Sequence, residues 1–251
     1  MQFNDTALTK SGILQHCEQL TGLGVGVGAG VDGGITGDAT LKSLFTNWVN
    51  MAYSEVVMAI KSVDKHNTWD DFNYTDYPDA PITMVVSTNN NTIPVAASGG
   101  SVNTNIGIKG VYFLEADGSR TYLDQMSDDD TLTATNGTPS KYKIIGKSFF
   151  FNVRFSAACL TKYSSTFYVE FQRSPSYFVY TDTTKEPGFM STYHDLLSLK
   201  ASAWYLLPTN SQLSTQYEER FRTRLELLKR DIALFSEDTP RRLTPKVESC
   251  E

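Results

Sequence analysis

Three histidines, a run of three aspartates, a glycine-rich turn and an aspartate-studded aromatic loop are where this chain of 251 residues could do chemistry. His16, His66 and His194 belong to no GxSxG, HExxH or phosphate-loop pattern, because the glycine run lacks the GK[ST] ending. His66 falls at a helix end, where positive charge suits the dipole, and His194, inside a largely apolar helix, reads as a packed core residue. Asp128, Asp129 and Asp130 form a triple carboxylate, but with no ligands indicated elsewhere they read as an exposed turn of mutually repelling charges. Gly28, Gly30 and Gly33 fit GxGxxG. A dinucleotide-binding turn also needs a preceding strand, a βαβ frame and an acidic residue about 20 positions on. The residues before this run look helical and no parallel α/β alternation follows, so it reads as a linker whose glycines permit many backbone shapes. Trp69, Phe72, Tyr74 and Tyr77 interleave with Asp70, Asp71, Asp76 and Asp79. Carboxylates suit hard cations, yet the spacing lacks the glycine and closing glutamate of a calcium loop. No residue is assigned a catalytic, cofactor-binding or metal-binding role, and no cofactor is expected.

The elements that must position these residues are helical at the two ends of the chain and β-rich between. Thr36 to Asn67 carries apolar residues at Leu41, Leu44, Phe45, Trp48, Val49, Ala52, Val56, Ile60 and Val63, which predicts one long amphipathic helix capped by Asp38 or Thr36. A shorter helix is expected over 6–20, anchored by Leu8, Ile13, Leu14 and Leu20. From Pro81 the runs 82–86, 92–96, 106–115, 120–124, 141–155, 164–173 and 176–180 are β-branched, aromatic and separated by turn clusters, which suggests a small antiparallel sandwich or barrel. Helix returns over 189–207, apolar on most sides and stopped by Pro208. A last helix over 210–236 carries one stripe of Tyr217, Phe221, Leu225, Leu228, Ile232 and Phe235 against solvated, ion-pairing faces.

The expected fold class is therefore α+β: a helical bundle with long helices at both ends of the chain and an inserted antiparallel β-sandwich or barrel. Its parts are an N-terminal helix and flexible Gly-rich arm (1–35), a helical core (36–67 with 189–236), an inserted β domain (68–188) and an extended C-terminal tail (237–251).

Charge and cysteine usage narrow the class further. A net charge of −6 and a pI of about 5.1 disfavour bulk attraction to nucleic acid or an anionic membrane. Cys17, Cys159 and Cys250 form no CxxC pair, so reduced thiols are expected rather than a disulfide framework or a zinc site. No secretory signal is read at the start, and no apolar stretch approaches the roughly 20 residues that span a bilayer.

WDDFNYTDYPDAP (69–81) follows the long helix, and FQRSPSYF (171–178) leads through TDTTKEPGF (181–189) to a helix opening STYHDLLSL (191–199). These strings, in the order helix, β insertion, two helices and tail, resemble tailed-bacteriophage virion proteins of the head–tail connector, or adaptor, family. The likeness spans residues 36 to 235 and leaves out the Gly-rich segment 22–34 and the tail 237–251. It implies a structural protein, not an enzyme, that forms a dodecameric ring beneath the portal, extends the DNA channel and joins capsid to tail. Its partners would be other copies, the portal protein, a tail or next neck protein, and genomic DNA passing without specific binding. No membrane is involved; the location would be the virion head–tail junction, after assembly in the host cytoplasm. The resemblance implies a portal-docking tail, here Arg241, Arg242, Leu243, Lys246 and Val247, and contacts with neighbouring copies or rings are expected at Val25, Val27, Val31, Trp69, Tyr74 and Tyr77. A ring of this kind needs two unlike adhesive faces, and an acidic lumen would let DNA slide.

Two other readings compete. In one, the β part is a module that recognises a glycan or receptor through exposed aromatics, with Tyr74, Tyr77, Tyr177 and Tyr180 as the platform. In the other, an enzyme uses the glycine loop.

Overall fold

The long helix forms where the apolar period predicts it. Asp38 accepts hydrogen bonds from the amides of Thr40 and Leu41, capping α2 (Ala39–Val63). Its inward side buries Phe45, Val49, Ala52, Tyr53, Val56, Val57 and Ile60. The structure, a computed structural model, describes residues 1–5, 11–23, 34–64, 69–92, 107–127, 129–146 and 148–237. It divides into two compact units, Met1–Tyr74 with Pro175–Glu251, and Thr75–Ser174.

In the first unit, α2 packs with α1 (Ile13–Thr21), α4 (Asp195–Leu206) and α5 (Ser211–Glu237) around one core. Gly12 precedes α1 and Gly22, at φ +75°, ends it in the left-handed region that glycine adopts without strain. α4 is buried on nearly every side, from Leu196 to Ala203, as expected of a central helix. Asn210 caps α5 through the Leu213 amide, and Tyr217, Phe221, Leu225 and Leu228 form its buried seam. Cys17 is a free thiol in this core, and burial pushes it up to about 12.

The second unit holds β1 (Asp79–Thr83), β2 (Asn90–Thr92), β3 (Ile108–Leu114), β4 (Arg120–Tyr122) and β5 (Asp124–Gln125). After them come β6 (Asn136–Gly137), β7 (Lys141–Ile145), β8 (Ser148–Phe151), β9 (Arg154–Phe155), the short helix α3 (Ala157–Lys162) and β10 (Thr166–Phe171). One four-stranded sheet runs β1-β10-β3-β4, a second β2-β8-β7-β5, and β6 pairs with β9. Phe149 and Phe151 of the second sheet meet Phe167 of the first edge-on at 5.7 and 5.1 Å.

This is a mixed α+β fold, and it corrects the expected architecture on two counts. The helices are not long at both ends, since α1 has only nine residues against 27 in α5. Among the described residues the strands close no barrel: they form separate sheets, and the β5–β7 and β6–β9 pairs are parallel, so the arrangement is not wholly antiparallel. The run 176–180 is not a strand either. The Asn50 side chain on α2 takes a ladder partner's place, accepting from the Phe178 amide and donating to the Phe178 carbonyl, both at 2.9 Å.

Candidate interaction surfaces

The aspartate-rich loop after α2 is folded around one carboxylate. Asp71 is 2% exposed. Its Oδ2 accepts from the Tyr53 hydroxyl at 2.5 Å and the Ser176 amide at 2.7 Å. Its Oδ1 accepts from the backbone and side-chain nitrogens of Asn73, at 2.9 and 2.8 Å. Tyr53 also accepts from the Gly188 amide at 2.6 Å. Burial first, and then the bond to Asp71, holds the Tyr53 phenol well above its ordinary pKa. A methyl group on Gly188 would overlap the Asp71 carboxylate and crowd the Phe72 amide. This node ties α2 to the segments 71–73 and 176–188, and every acceptor site on Asp71 is used for that.

The outward side of α2 is different. Leu44, Met51 and Met58 stand seven residues apart and are 38, 57 and 70% exposed, so they align along one side of the helix. Between Met51 and Met58, Ser54 meets the Tyr177 hydroxyl at 2.7 Å, which lays another half-exposed ring beside this stripe. Val179 and Tyr180 nearby in sequence, and Phe72 in the aspartate loop, are also exposed. Single exposed apolar side chains are ordinary, whereas an aligned set on one rigid helix is the form an interface takes.

A cleft of about 600 Å³ lies between α1, α4 and α5, lined by His16, Asp195, Gln216, Arg220, Thr223 and Arg224 among others. Its histidine sits beside a serine, with Nδ1 2.7 Å from Ser198 Oγ. That hydroxyl donates to the Asp195 carbonyl at 2.9 Å and Ser198 is fully buried. His16 therefore donates through Nδ1, and burial holds its pKa down, with Asp195 acting against it. With its proton given to the backbone, the serine is a helix-to-helix tie rather than an activated nucleophile. Arg224 pairs with Asp195 at 2.8 Å across the same wall.

In the second unit the outer side of the first sheet is aromatic. Tyr77, Tyr112 and Tyr122 surround Arg120, whose guanidinium lies 4.0 Å from the Tyr77 ring centre and 5.0 Å from that of Tyr112, and Tyr168 stacks on Tyr112. Tyr112 donates to Asp79, and Tyr122 donates to Glu170 at 2.9 Å. Tyr77 is pushed up to about 12, by burial first and then by Glu170.

The residues singled out in the sequence are scattered by this structure. His194 is in the core, Nε2 2.8 Å from the Phe189 carbonyl, with its pKa lowered by burial. Asp130 pairs with Lys141 at 2.8 Å and is lowered to about 2, that lysine being the main cause. Trp69 is half-buried against the helical core near Lys61, and Tyr74 is half-buried. Tyr77 belongs to the second unit, while Tyr74, Tyr177 and Tyr180 belong to the first. His66, Asp128, Gly28, Gly30, Gly33, Val25, Val27, Val31, Arg241, Arg242, Leu243, Lys246 and Val247 lie outside the described residues. Among the described residues no group of acidic, histidine or cysteine side chains could hold a metal ion, and no helix is long and apolar enough to cross a membrane. The sequence reading missed the α2 stripe and the Arg120 cluster. Heptad spacing of Leu44, Met51 and Met58 was the available signal for the first. No protein-family model matches the chain, and no curated protein matches it.

Proposed function

We propose that this chain is a structural component of a tailed-bacteriophage head–tail connector, assembling as a ring beneath the portal and joining capsid to tail. The observation that carries the reading is the exposed stripe of Leu44, Met51 and Met58 on a helix whose opposite side is locked into the core. Burying such a stripe against a neighbouring copy contributes about 25 cal/mol per Å² of apolar surface removed from water. The resemblance of segments 69–81, 171–189 and 191–199 to connector proteins supplies the assembly in which that neighbour is found. In this reading the tail residues Arg241, Arg242, Leu243, Lys246 and Val247 dock on the portal, and DNA passes through the ring without specific contacts. The role is that of a building block in the virion, with no catalysis and no cofactor.

Mixing the purified chain with the portal protein of the same phage, and imaging the product by electron microscopy, tests this. The expected result is an added ring of density on one end of the portal. Bare portals at a large excess of the chain would overturn it.

A further inference from the structure

The geometry points to a carbohydrate-binding subsite on the outer side of the β1-β10-β3-β4 sheet, with the Tyr122 ring as its platform and Glu170 and Arg120 as its hydroxyl-binding groups. Tyr122 on β4 leans across β3 rather than standing away from the sheet. Its ring carbons lie 3.2 Å from where a side chain on Gly110 would begin, and its hydroxyl reaches Glu170 on β10, the residue paired with Gly110. The Cδ1–Cε1 edge of the ring is thus what comes down beside Gly110, and the residue remains 51% exposed. A side chain at position 110 would displace the ring by a few tenths of an ångström.

The groups around the ring set the class of ligand. A carboxylate has about four acceptor sites, of which the two phenols that Glu170 faces take at most two. Arg120 is held against Tyr77 and Tyr112, with Tyr122 the largest influence raising its pKa, so its planar donors are ordered before any ligand arrives. A sugar ring has an apolar face of C–H bonds and an equator of hydroxyls that both donate and accept. A flat aromatic ring with an acceptor and a donor at its edge matches both, as binding sites built on aromatics with a few placed polar groups do. An anionic ligand is opposed, because Asp79 and Glu170 outnumber Arg120 here. A ring needed only to cover Gly110 would have no use for that surrounding charge.

The test is a titration of the full chain, carrying ¹³C-labelled tyrosine, with cellohexaose, maltohexaose and chitohexaose. One of the three is expected to shift the ring signals of Tyr77 and Tyr122 and leave those of Tyr177 and Tyr180 in place. Tyr122→Ala and Arg120→Ala should each weaken that binding about tenfold, whereas Tyr122→Phe should keep most of it. Should Tyr122→Ala not fold, the shifts in the unmodified chain and the Arg120→Ala comparison still decide. No shift with any of the three at about 10 mM, or binding unaltered in Tyr122→Ala, would overturn the proposal. So would a change in molecular mass on Tyr122→Ala without any sugar-induced shift, which would make this surface a protein contact.

Discussion

Asp71 and Glu170 each accept a hydrogen bond from a tyrosine hydroxyl, and the two sites have opposite characters. At Asp71 the carboxylate is buried, and it accepts from Tyr53, Ser176 and both nitrogens of Asn73. Nothing is left over for a ligand, and removing Tyr53 or Asp71 strands the other in the core. At Glu170 the carboxylate is only partly buried, and its tyrosine neighbours Tyr77 and Tyr122 are 44 and 51% exposed. The first arrangement holds the fold; the second holds binding surface ready. The same residue types give structure or function according to how much of their hydrogen-bonding capacity the fold itself consumes.

The sharpest test of that contrast is Asp71→Ala. It strands the Tyr53 hydroxyl and the Ser176 and Asn73 amides, and should lower stability to urea by about 4 kcal/mol. A loss below about 1 kcal/mol would break the comparison. Tyr53→Phe should cost about 2 kcal/mol, since the Gly188 amide and one Asp71 oxygen lose their partner.

Acid separates the two units next. His16 and His194 in the first unit both have pKa values lowered below 6.5 by burial. The unfolded chain then takes up their protons first, so this contribution is complete above pH 6.5 and is lost as pH falls through that value toward the folded pKa values. In the second unit Asp130 and Glu115 have lowered values, held down chiefly by Lys141 and Lys162. Their contribution is present above the ordinary carboxylate range and is lost only as pH falls through it, toward about 2 for Asp130. Trp48, Trp69 and Trp204 all belong to the first unit, so tryptophan fluorescence follows that unit alone. Its melting temperature should fall between pH 7 and 5, while the second unit, followed by the ring signals of its own Tyr112 and Tyr142, holds. Smaller again is Tyr122→Ala, expected to cost about 1 kcal/mol because the ring is half in solvent.

Helical parts were the most legible in the sequence. The periods of α2 and α5 name most of their buried residues, because burial on a helix repeats every 3.6 positions, while α4 was legible as a central helix from being apolar on most sides. The same pattern misplaced Leu44, which is apolar and yet exposed: periodicity registers residue type, and a helix with a second apolar stripe looks merely wider. In the β part the runs 106–115 and 164–173 do hold β3 and β10, but 141–155 holds three strands, β6 and α3 were not read, and the pairing was not legible. Gly110, Tyr122 and Glu170 come from three strands, and alternation assigns each to a face without giving the register that brings them together. SYFVY has a strand's composition, yet Asn50, more than a hundred residues earlier in the chain, takes both backbone hydrogen bonds of its central Phe178. The aspartate-rich loop was visible as a string, but which of its carboxylates turns inward depends on Tyr53 and Gly188, and neither lies in that string.

The most direct measurement is the mass of the assembly by light scattering, in the presence of the phage portal protein, for the unmodified chain and for Met51→Glu/Met58→Glu. Both side chains point away from the core, so the monomer's urea stability should change by less than about 0.5 kcal/mol. The account predicts that the unmodified chain joins the portal as a ring while the variant stays monomeric. Equal masses for the two proteins, with the same stability, would contradict it.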